Sequence, residues 1–214
     1  MNDAIDLRRA WRDTLPGADR LGADLLRSWS APDRAYHDAE HLAEVLTALG
    51  ELADAVPRTV RLAAWFHDAV YDPRRDDNEE RSAQLAAATL PDAGVDPADV
   101  AEVERLVRLT ATHDPVADDA DGILLCDADL AILGASPARY ARYVEDVRRE
   151  YAHVPEPDFR TARGRILRGF LARPAIYRTS RGRDRWESAA RRNLRAELGD
   201  GDPPPAAAPP GPGC

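Results

Sequence analysis

The chain has 214 residues, of which 31% are charged and 44% hydrophobic, and its net charge is -9, as in an ordinary globular protein. No apolar run approaches the roughly 20 residues that span a bilayer, and the N-terminal stretch lacks the apolar core of an export signal, so we expect a cytoplasmic protein with no membrane partner. The negative charge argues against broad nucleic-acid binding, although a small phosphorylated ligand would need only a local cluster of arginines.

Helical periodicity runs through nearly the whole chain. Apolar residues recur at three- and four-residue spacing, which is typical of amphipathic helices, whereas alternating strand patterns are short and scarce. The helical segments cover residues 6–15, 18–29, 39–56, 59–70, 78–90, 96–113, 136–151, 158–173 and 185–198. We therefore predict one all-α domain over residues 1–199, a bundle of about eight to ten helices.

Helix start signals support three of these segments. Asp96 is followed by Pro97, and Ser136 is also followed by proline, so each combines an N-cap with proline at the first helical position. The acid-rich segment after residue 77 has Asp77 or Asn78 as its candidate cap.

The end of the chain and the cysteines carry little functional information. Residues 200–214 are rich in proline, alanine and glycine and have no amphipathic pattern, which predicts a disordered tail. Cys126 lies in an apolar run and Cys214 is the last residue, so we expect no disulfide between them and find no cysteine-based zinc pattern. All 29 basic residues are arginine, which excludes a lysine Schiff base or a Walker-type lysine.

Four of the five histidines deserve separate interpretations. His37 and His41 are four residues apart, so a helix would place both on one face. His67 and Asp68 end an apolar segment, where an unpaired carboxylate would be costly to bury. A lone histidine is more commonly an ordinary core or surface residue, and His153 is interpreted in that way. The combination of the other three with Asp68 instead favours a divalent cation, for which Mn, Fe, Zn, Ni and Co are the better candidates.

Two further acids interrupt the apolar stretch GILLCDADLAILG. Asp127 and Asp129 lie among isoleucines and leucines, where a carboxylate needs a partner. On a helix they would point about 200° apart, so at most one can face a given point. The alternative for either residue is a capping aspartate or a salt bridge to arginine.

Five motifs in a fixed order resemble those of a known protein family. The motifs are YHDAEHL (36–42), WFHDAVYDP (65–73), DNEERSA (77–83), DADLAILG (127–134) and REY (149–151). The H…HD…D pattern is similar to that of the HD superfamily of metal-dependent phosphohydrolases. Together the motifs resemble an uncharacterised bacterial subfamily described only as predicted metal-dependent phosphohydrolases. The resemblance spans roughly residues 5–198 and implies an HD-domain helical bundle.

The resemblance implies a metal site. His41, His67, Asp68 and Asp129 would be the ligands of a divalent ion, with Asp127 as the alternative to Asp129. The metal would be Mn, Fe, Zn, Ni, Co or Mg.

The resemblance also gives His37 a role. YHDAEH looks like the YHN-x-x-H element of the cyclic-nucleotide phosphodiesterases in the superfamily, where the first histidine donates a proton to the leaving group. His37 would thus be the general acid or a phosphate-orienting group. Asp38 stands where those enzymes have asparagine, which leaves open how His37 is supported.

Several acids after the His-Asp pair are candidate catalytic groups. Asp72 would lie one helical turn beyond Asp68 and could orient a water or act as general base. The guanosine tetraphosphate hydrolases of the superfamily have a Glu-Asp pair in this stretch, whereas here Tyr71 stands in place of the glutamate. Glu79 and Glu80 either reach into the site or favour a helix N-terminus.

The candidate substrate-binding residues are one histidine and three arginines. His113 would lie at the C-terminal end of a long helix, where its alternative role is a favourable interaction with the helix dipole. Because it is the only histidine between the His-Asp pair and the late aspartate, a mononuclear metal site is favoured over a dinuclear one. Arg81, Arg163 and Arg165 lie near the motifs and could bind phosphate.

The sequence thus predicts a metal-dependent phosphohydrolase that acts on a small phosphorylated molecule, with a nucleotide as the favoured substrate. One alternative is a diiron oxygenase on the HD fold, which would need about six protein ligands. The other is a non-catalytic sensor of metal or nucleotide that retains the same residues.

Overall fold

A computed structural model of the chain describes residues 5–199. Within that range every regular element is helical and no strand occurs, which confirms the predicted all-α bundle of eight to ten helices. The first nine helices are α1 Leu7–Thr14, α2 Asp19–Trp29, α3 Ala39–Leu52, α4 Arg58–Phe66, α5 Asn78–Thr89, α6 Pro97–Leu109, α7 Ala120–Asp129, α8 Pro137–Glu150 and α9 Glu156–Ala172. The tenth, α10, covers residues 180–198, with α-helical Ser180–Gly182, π-helical Arg183–Glu187 and α-helical Ser188–Leu198. The tail predicted over residues 200–214, with Cys214, lies outside the described residues.

The helix starts follow the capping residues of the sequence. Asp96 accepts a hydrogen bond from the backbone N–H of Ala98 at the start of α6, and Ser136 accepts one from Arg139 at the start of α8. Asp77 precedes α5, but its side chain makes no capping hydrogen bond. None of the described helices is both long and apolar enough to cross a membrane.

The helix predicted over residues 59–70 is shorter than expected. α4 ends at Phe66, and residues 67–70 form a turn. Ser82 on α5 holds this turn, because its hydroxyl accepts from the backbone N–H of Val70 and donates to the carbonyl of Val70. Asn78, also on α5, pairs with the backbone N–H and carbonyl of Asp72 in the same way. These bonds to α5 replace the ones that a continuing helix would make.

Two apolar clusters form the core. The larger one joins α1 to α7 and contains the fully buried rings of Trp11, Trp29, Trp65 and Phe66. The smaller one joins α8, α9 and α10 with the short 3-10 segment Leu130–Gly134 that follows α7. Polar side chains of α3, α4 and α7 lie where the two clusters meet, at the edge of a cavity. The fold therefore places these polar groups between two apolar layers.

Candidate metal centre

Three helix ends bring two histidines and an aspartate together. His41 lies in the first turn of α3, His67 directly follows α4, and Asp129 is the last residue of α7. His41 Nε2 is 3.2 Å from His67 Nε2 and 3.1 Å from Asp129 Oδ1, and His67 Nε2 is 3.6 Å from the same oxygen. Side chains of these types at this spacing could hold one metal ion.

Asp68 lies beside the same three residues. Its Oδ2 is 3.2 Å from His67 Nε2 and 3.9 Å from His41 Nε2, and the residue is buried. Both carboxylates therefore face the space between the two imidazole rings. His41, His67, Asp68 and Asp129 are called the central cluster below.

The protonation of His67 bears directly on what the central cluster can bind. Its Nδ1 donates a hydrogen bond to the backbone carbonyl of Ala64, at 2.9 Å, which in the neutral ring leaves Nε2 with a lone pair. That lone pair faces the oxygens of Asp68 and Asp129 and the Nε2 of His41. A proton or a cation among these two carboxylates and two ring nitrogens stabilises the arrangement. A backbone carbonyl that holds the second ring nitrogen is also the usual support of a metal-binding histidine.

The electrostatics of the central cluster favour positive charge. Burial alone would lower the pKa of His67, but the negative charges of Asp68 and Asp129 outweigh it and raise that pKa to about 9. Burial would raise the pKa of Asp129, yet the charge of His67 and the hydrogen bonds from His113 and His41 hold it well below its ordinary range. The site therefore attracts cations and keeps its carboxylates ionised.

Aromatic rings pack against the two histidines of the central cluster. The ring of Trp29 lies 5.3 Å from that of His67 and 6.2 Å from that of His41, between centroids. Its indole N–H donates to the backbone carbonyl of Trp65, so no polar atom of Trp29 competes for the histidines. The ring of Tyr36 also packs against that of His41, with centroids 4.7 Å apart. This packing fixes both imidazole rings and limits access of water from the core.

The prediction that His37 and His41 share a helical face is wrong. α3 begins at Ala39 with Asp38 as its N-cap, so His37 lies in the preceding loop. The carboxylate of Asp38 accepts from the backbone N–H groups of Glu40 and His41, which explains an acid at this position. The rings of His37 and His41 still lie near each other, with centroids 5.8 Å apart.

Glu150, at the end of α8, holds His37. Its Oε2 accepts from Nδ1 of His37 at 2.6 Å and from the hydroxyl of Tyr71 at 2.9 Å. Its Oε1 accepts from the backbone N–H groups of Ala35, Tyr36 and His37. With Nδ1 engaged, Nε2 is the ring nitrogen of His37 that remains for the cavity.

Burial and hydrogen bonding shift the pKa values of both residues in the His37–Glu150 pair. Burial would raise the pKa of Glu150, but the hydrogen bond and charge of His37, with the backbone donors, lower it to about 2. Burial would lower the pKa of His37, whereas Glu150 and the charges of Asp68 and Asp129 raise it above its ordinary value. An ionised Glu150 thus favours a protonated His37.

Arg34 ties the loop before α3 to the turn after α4. Its guanidinium donates to the backbone carbonyls of His37, Asp68 and Ala69, at 2.8, 2.7 and 3.1 Å. The guanidinium also lies over the rings of Trp29 and Tyr71. The two segments that supply His37 and Asp68 are therefore held in one fixed relation.

His113 contacts the central cluster through Asp129. Its Nε2 donates to Asp129 Oδ2 at 2.7 Å, so this carboxylate presents one oxygen to His113 and the other to His41 and His67. The backbone of His113 has a φ of 48°, in the left-handed region that is uncommon outside glycine. Arg173 donates to its carbonyl at 2.8 Å and holds this conformation. His113 thus contacts Asp129, and its ring also lines the cavity, so its substrate-binding role stays a prediction.

The central cluster opens into a cavity of about 140 Å³. Four candidate residues outside the central cluster are among the polar side chains that line this cavity. The remaining lining is largely apolar. These four candidates are His37, Glu79, His113 and Arg163.

Four other candidates are not brought to the cavity. Asp72 was expected one helical turn after Asp68, but the chain is not helical there, and its Oδ1 accepts from the backbone N–H of Arg74. Glu80 forms a surface ion pair with Arg108. Arg81 and Arg165 are exposed and do not line the cavity. The structure therefore does not support a direct role for these side chains at the site.

Asp127, the alternative ligand, serves the fold instead. Its carboxylate accepts from the backbone N–H groups of Arg178 and Thr179 and from the hydroxyl of Thr179, at 2.7 to 3.0 Å. These bonds anchor the segment that leads into α10. Residues two positions apart on a helix point in nearly opposite directions, so Asp129 faces the histidines and Asp127 does not.

Two residues of the site were not found by reasoning from residue types. Glu150 lies 113 positions from His37, and Arg34 lies 34 positions from Asp68, so no local pattern joins either pair. The REY motif contains Glu150 and was the one available signal, although it carried no assigned role.

No protein-family model matches the chain, and neither the curated proteins nor the solved structures contain a match.

Proposed function

We propose that this protein is a metal-dependent phosphohydrolase that cleaves a phosphoester in a small molecule. The observation that carries the proposal is the convergence of His41, His67 and Asp129, whose ligand atoms lie 3.1 to 3.6 Å apart, with Nδ1 of His67 held by the backbone carbonyl of Ala64. The resemblance of five ordered motifs to the HD superfamily supports the same activity.

The donor set fits one divalent transition metal. Two imidazole nitrogens and the carboxylates of Asp129 and Asp68 are neutral and anionic ligands of the kind that Mn, Fe, Co, Ni and Zn accept. We include Asp68 as the fourth ligand because its oxygen lies as close to His67 as the other ligand atoms do. When bound, a divalent cation would neutralise phosphoryl charge and acidify a water molecule.

His37 is the proposed general acid. Glu150 accepts from its Nδ1 and favours its protonated form, so Nε2 can donate a proton to the leaving oxygen of a substrate in the cavity. Tyr71 stacks on the ring of His37 at 4.3 Å and limits its rotation.

Glu79 is the proposed general base. It is half-buried at the start of α5 and is the acidic side chain among the described lining residues that belongs to neither the central cluster nor the His37–Glu150 pair. A carboxylate in that position can accept a proton from an attacking water. Asp72 was the alternative candidate for this role from the sequence.

The diiron oxygenase is less well supported. It would need about six protein ligands, whereas the described residues gather His41, His67 and Asp129, with Asp68 and His113 beside them. A single metal ion suits this number better.

A panel of phosphomonoesters and nucleotides, screened with Mn, Mg, Co, Ni, Fe and Zn, tests the proposal. We expect at least one ester to be hydrolysed only when metal is present, and the His67→Ala variant, purified in the same way, to be inactive. Metal binding without hydrolysis of any ester would contradict the enzyme and favour the sensor.

A further inference from the structure

One face of α9 forms a wall of the cavity. Arg163, Ile166, Leu167 and Phe170 all line it, and their spacing of three, four and seven residues places them on one side of a helix. The first of these residues is cationic and the other three are apolar. The wall therefore has one charged position followed by a continuous apolar strip.

The apolar strip continues onto the short segment after α7. Leu130, Ile132 and Leu133 line the same cavity. Ile166 is 55% exposed, and the other exposed large hydrophobic residue in the described range, Val116, does not line it. Ile166 thus lies where apolar lining reaches solvent, at the mouth of the cavity.

The cavity offers no free arginine among its described lining residues. Arg163 is the arginine among the described lining residues, and its guanidinium is already engaged. It donates to both carboxylate oxygens of Glu197, at 2.8 and 3.2 Å, and to the hydroxyl of Tyr143 at 2.8 Å. A chain of phosphates would need several free arginines or lysines to offset its charge. The site therefore suits a ligand with little charge beyond the group at the metal.

We propose that the substrate carries a single phosphoryl group joined to an apolar or aromatic group, which lies against Ile166 and Phe170 at the mouth. This inference rests on the proposed function, because the phosphoryl group is placed at the central cluster. It narrows the substrate class to monophosphorylated molecules with an apolar portion and disfavours polyphosphates.

Binding of two stable phosphonates tests the inference without turnover. Methylphosphonate carries the charged group alone, and 1-naphthylmethylphosphonate adds an aromatic surface. Each is titrated calorimetrically into the full chain, with Mn²⁺ and without it. We expect the naphthyl compound to bind about 10- to 100-fold more tightly in both conditions, because the added rings bury apolar surface on a wall that contains no metal ligand.

Two matched variants locate the effect. Ile166→Gln should weaken binding of the naphthyl compound by about tenfold, because a polar side chain replaces an apolar contact at an exposed position. The affinity for methylphosphonate should not change. Val116→Gln, the same kind of change at the other exposed hydrophobic residue, should alter neither compound.

Equal affinity for the two phosphonates, absence of binding by both, or an Ile166→Gln variant with unchanged preference would overturn the inference. Tighter binding of inorganic triphosphate than of the naphthyl compound would also overturn it. A naphthyl preference that is lost in Ile166→Gln, in a protein that hydrolyses no ester, would support this ligand class while contradicting the proposed hydrolysis.

Discussion

Two histidine–carboxylate groups lie within a few ångströms of each other, and they differ in how the protein completes them. In the His37–Glu150 pair every carboxylate oxygen accepts hydrogen bonds from a side chain or backbone donor. In the central cluster, Nδ1 of His67 donates to a backbone carbonyl, and its Nε2 faces the carboxylates of Asp68 and Asp129.

The difference indicates what each group is for. A buried group of polar atoms that satisfies itself is stable without a ligand and can hold one side chain in place. A group that places two carboxylates and two imidazole nitrogens this close together is stabilised when a proton or a cation lies between them. The first is therefore expected to govern proton transfer and the second to govern metal binding.

Removing His67 should disrupt the central cluster, and its effect on metal affinity should be the largest of the predicted effects. His67→Ala is expected to weaken metal binding by more than about 100-fold, since loss of supporting groups alone costs 10- to 100-fold and His67 is a direct ligand. Helicity should be retained, because α4 ends at Phe66 and is buried by its own apolar residues. Metal content after desalting and far-UV circular dichroism measure the two quantities.

Asp127→Asn is the matched control for that variant. Asp127 is also a buried carboxylate, yet its partners are Arg178 and Thr179. The Asp127→Asn variant should keep its metal and lose about 1–3 kcal/mol of unfolding free energy. Unfolding of His67→Ala, or loss of metal from Asp127→Asn, would contradict the assignment of the two sites.

Removing His37 should separate proton transfer from metal binding. His37→Ala is expected to keep its metal but lose about 10²- to 10⁴-fold in turnover of an alkyl phosphate, whose leaving oxygen needs a proton. A nitrophenyl phosphate should be affected much less, because its leaving group needs little protonation. His41→Ala provides the contrast, since it should lose metal and both activities. Equal losses on both esters for His37→Ala would rule out the general-acid role.

The pH dependence of stability tests the His37–Glu150 pair by itself. The pKa of Glu150 is lowered from 4.5 to about 2, so its contribution is present above pH 4.5 and is lost as pH falls towards 2. The pKa of His37 is raised, so its contribution is present at low pH and is lost as pH rises through the folded value. The pair therefore stabilises the fold most at pH values above 4.5 and below the folded pKa of His37.

Glu150→Gln should reveal that contribution with an effect of about 3 kcal/mol, the equivalent of the change in pKa. In metal-free protein at about pH 5.5, urea unfolding should show the variant less stable by this amount, and the difference should shrink towards zero near pH 2. A difference that stays constant with pH would mean that the ionised carboxylate is not what stabilises the loop.

The sequence allowed the helical class to be predicted from local patterns, whereas the set of residues in the central cluster was implied by the resemblance of the motifs. Periodicity marks amphipathic helices, and an acid such as Asp68 or Asp129 in an apolar run needs a partner. Asp72 was misplaced because the end of α4 is set by bonds from Ser82 on another helix. Glu150 was missed because His37 is 113 residues away, and a contact of that kind has no local pattern.

X-ray absorption spectroscopy of the protein loaded with one equivalent of Zn²⁺ tests the central claim most directly. The structure predicts one tightly held ion per chain with two imidazole ligands, from His41 and His67, completed by carboxylate oxygen. A protein that retains no ion after desalting, or an ion coordinated without histidine, would contradict the assignment of the central cluster as a metal site.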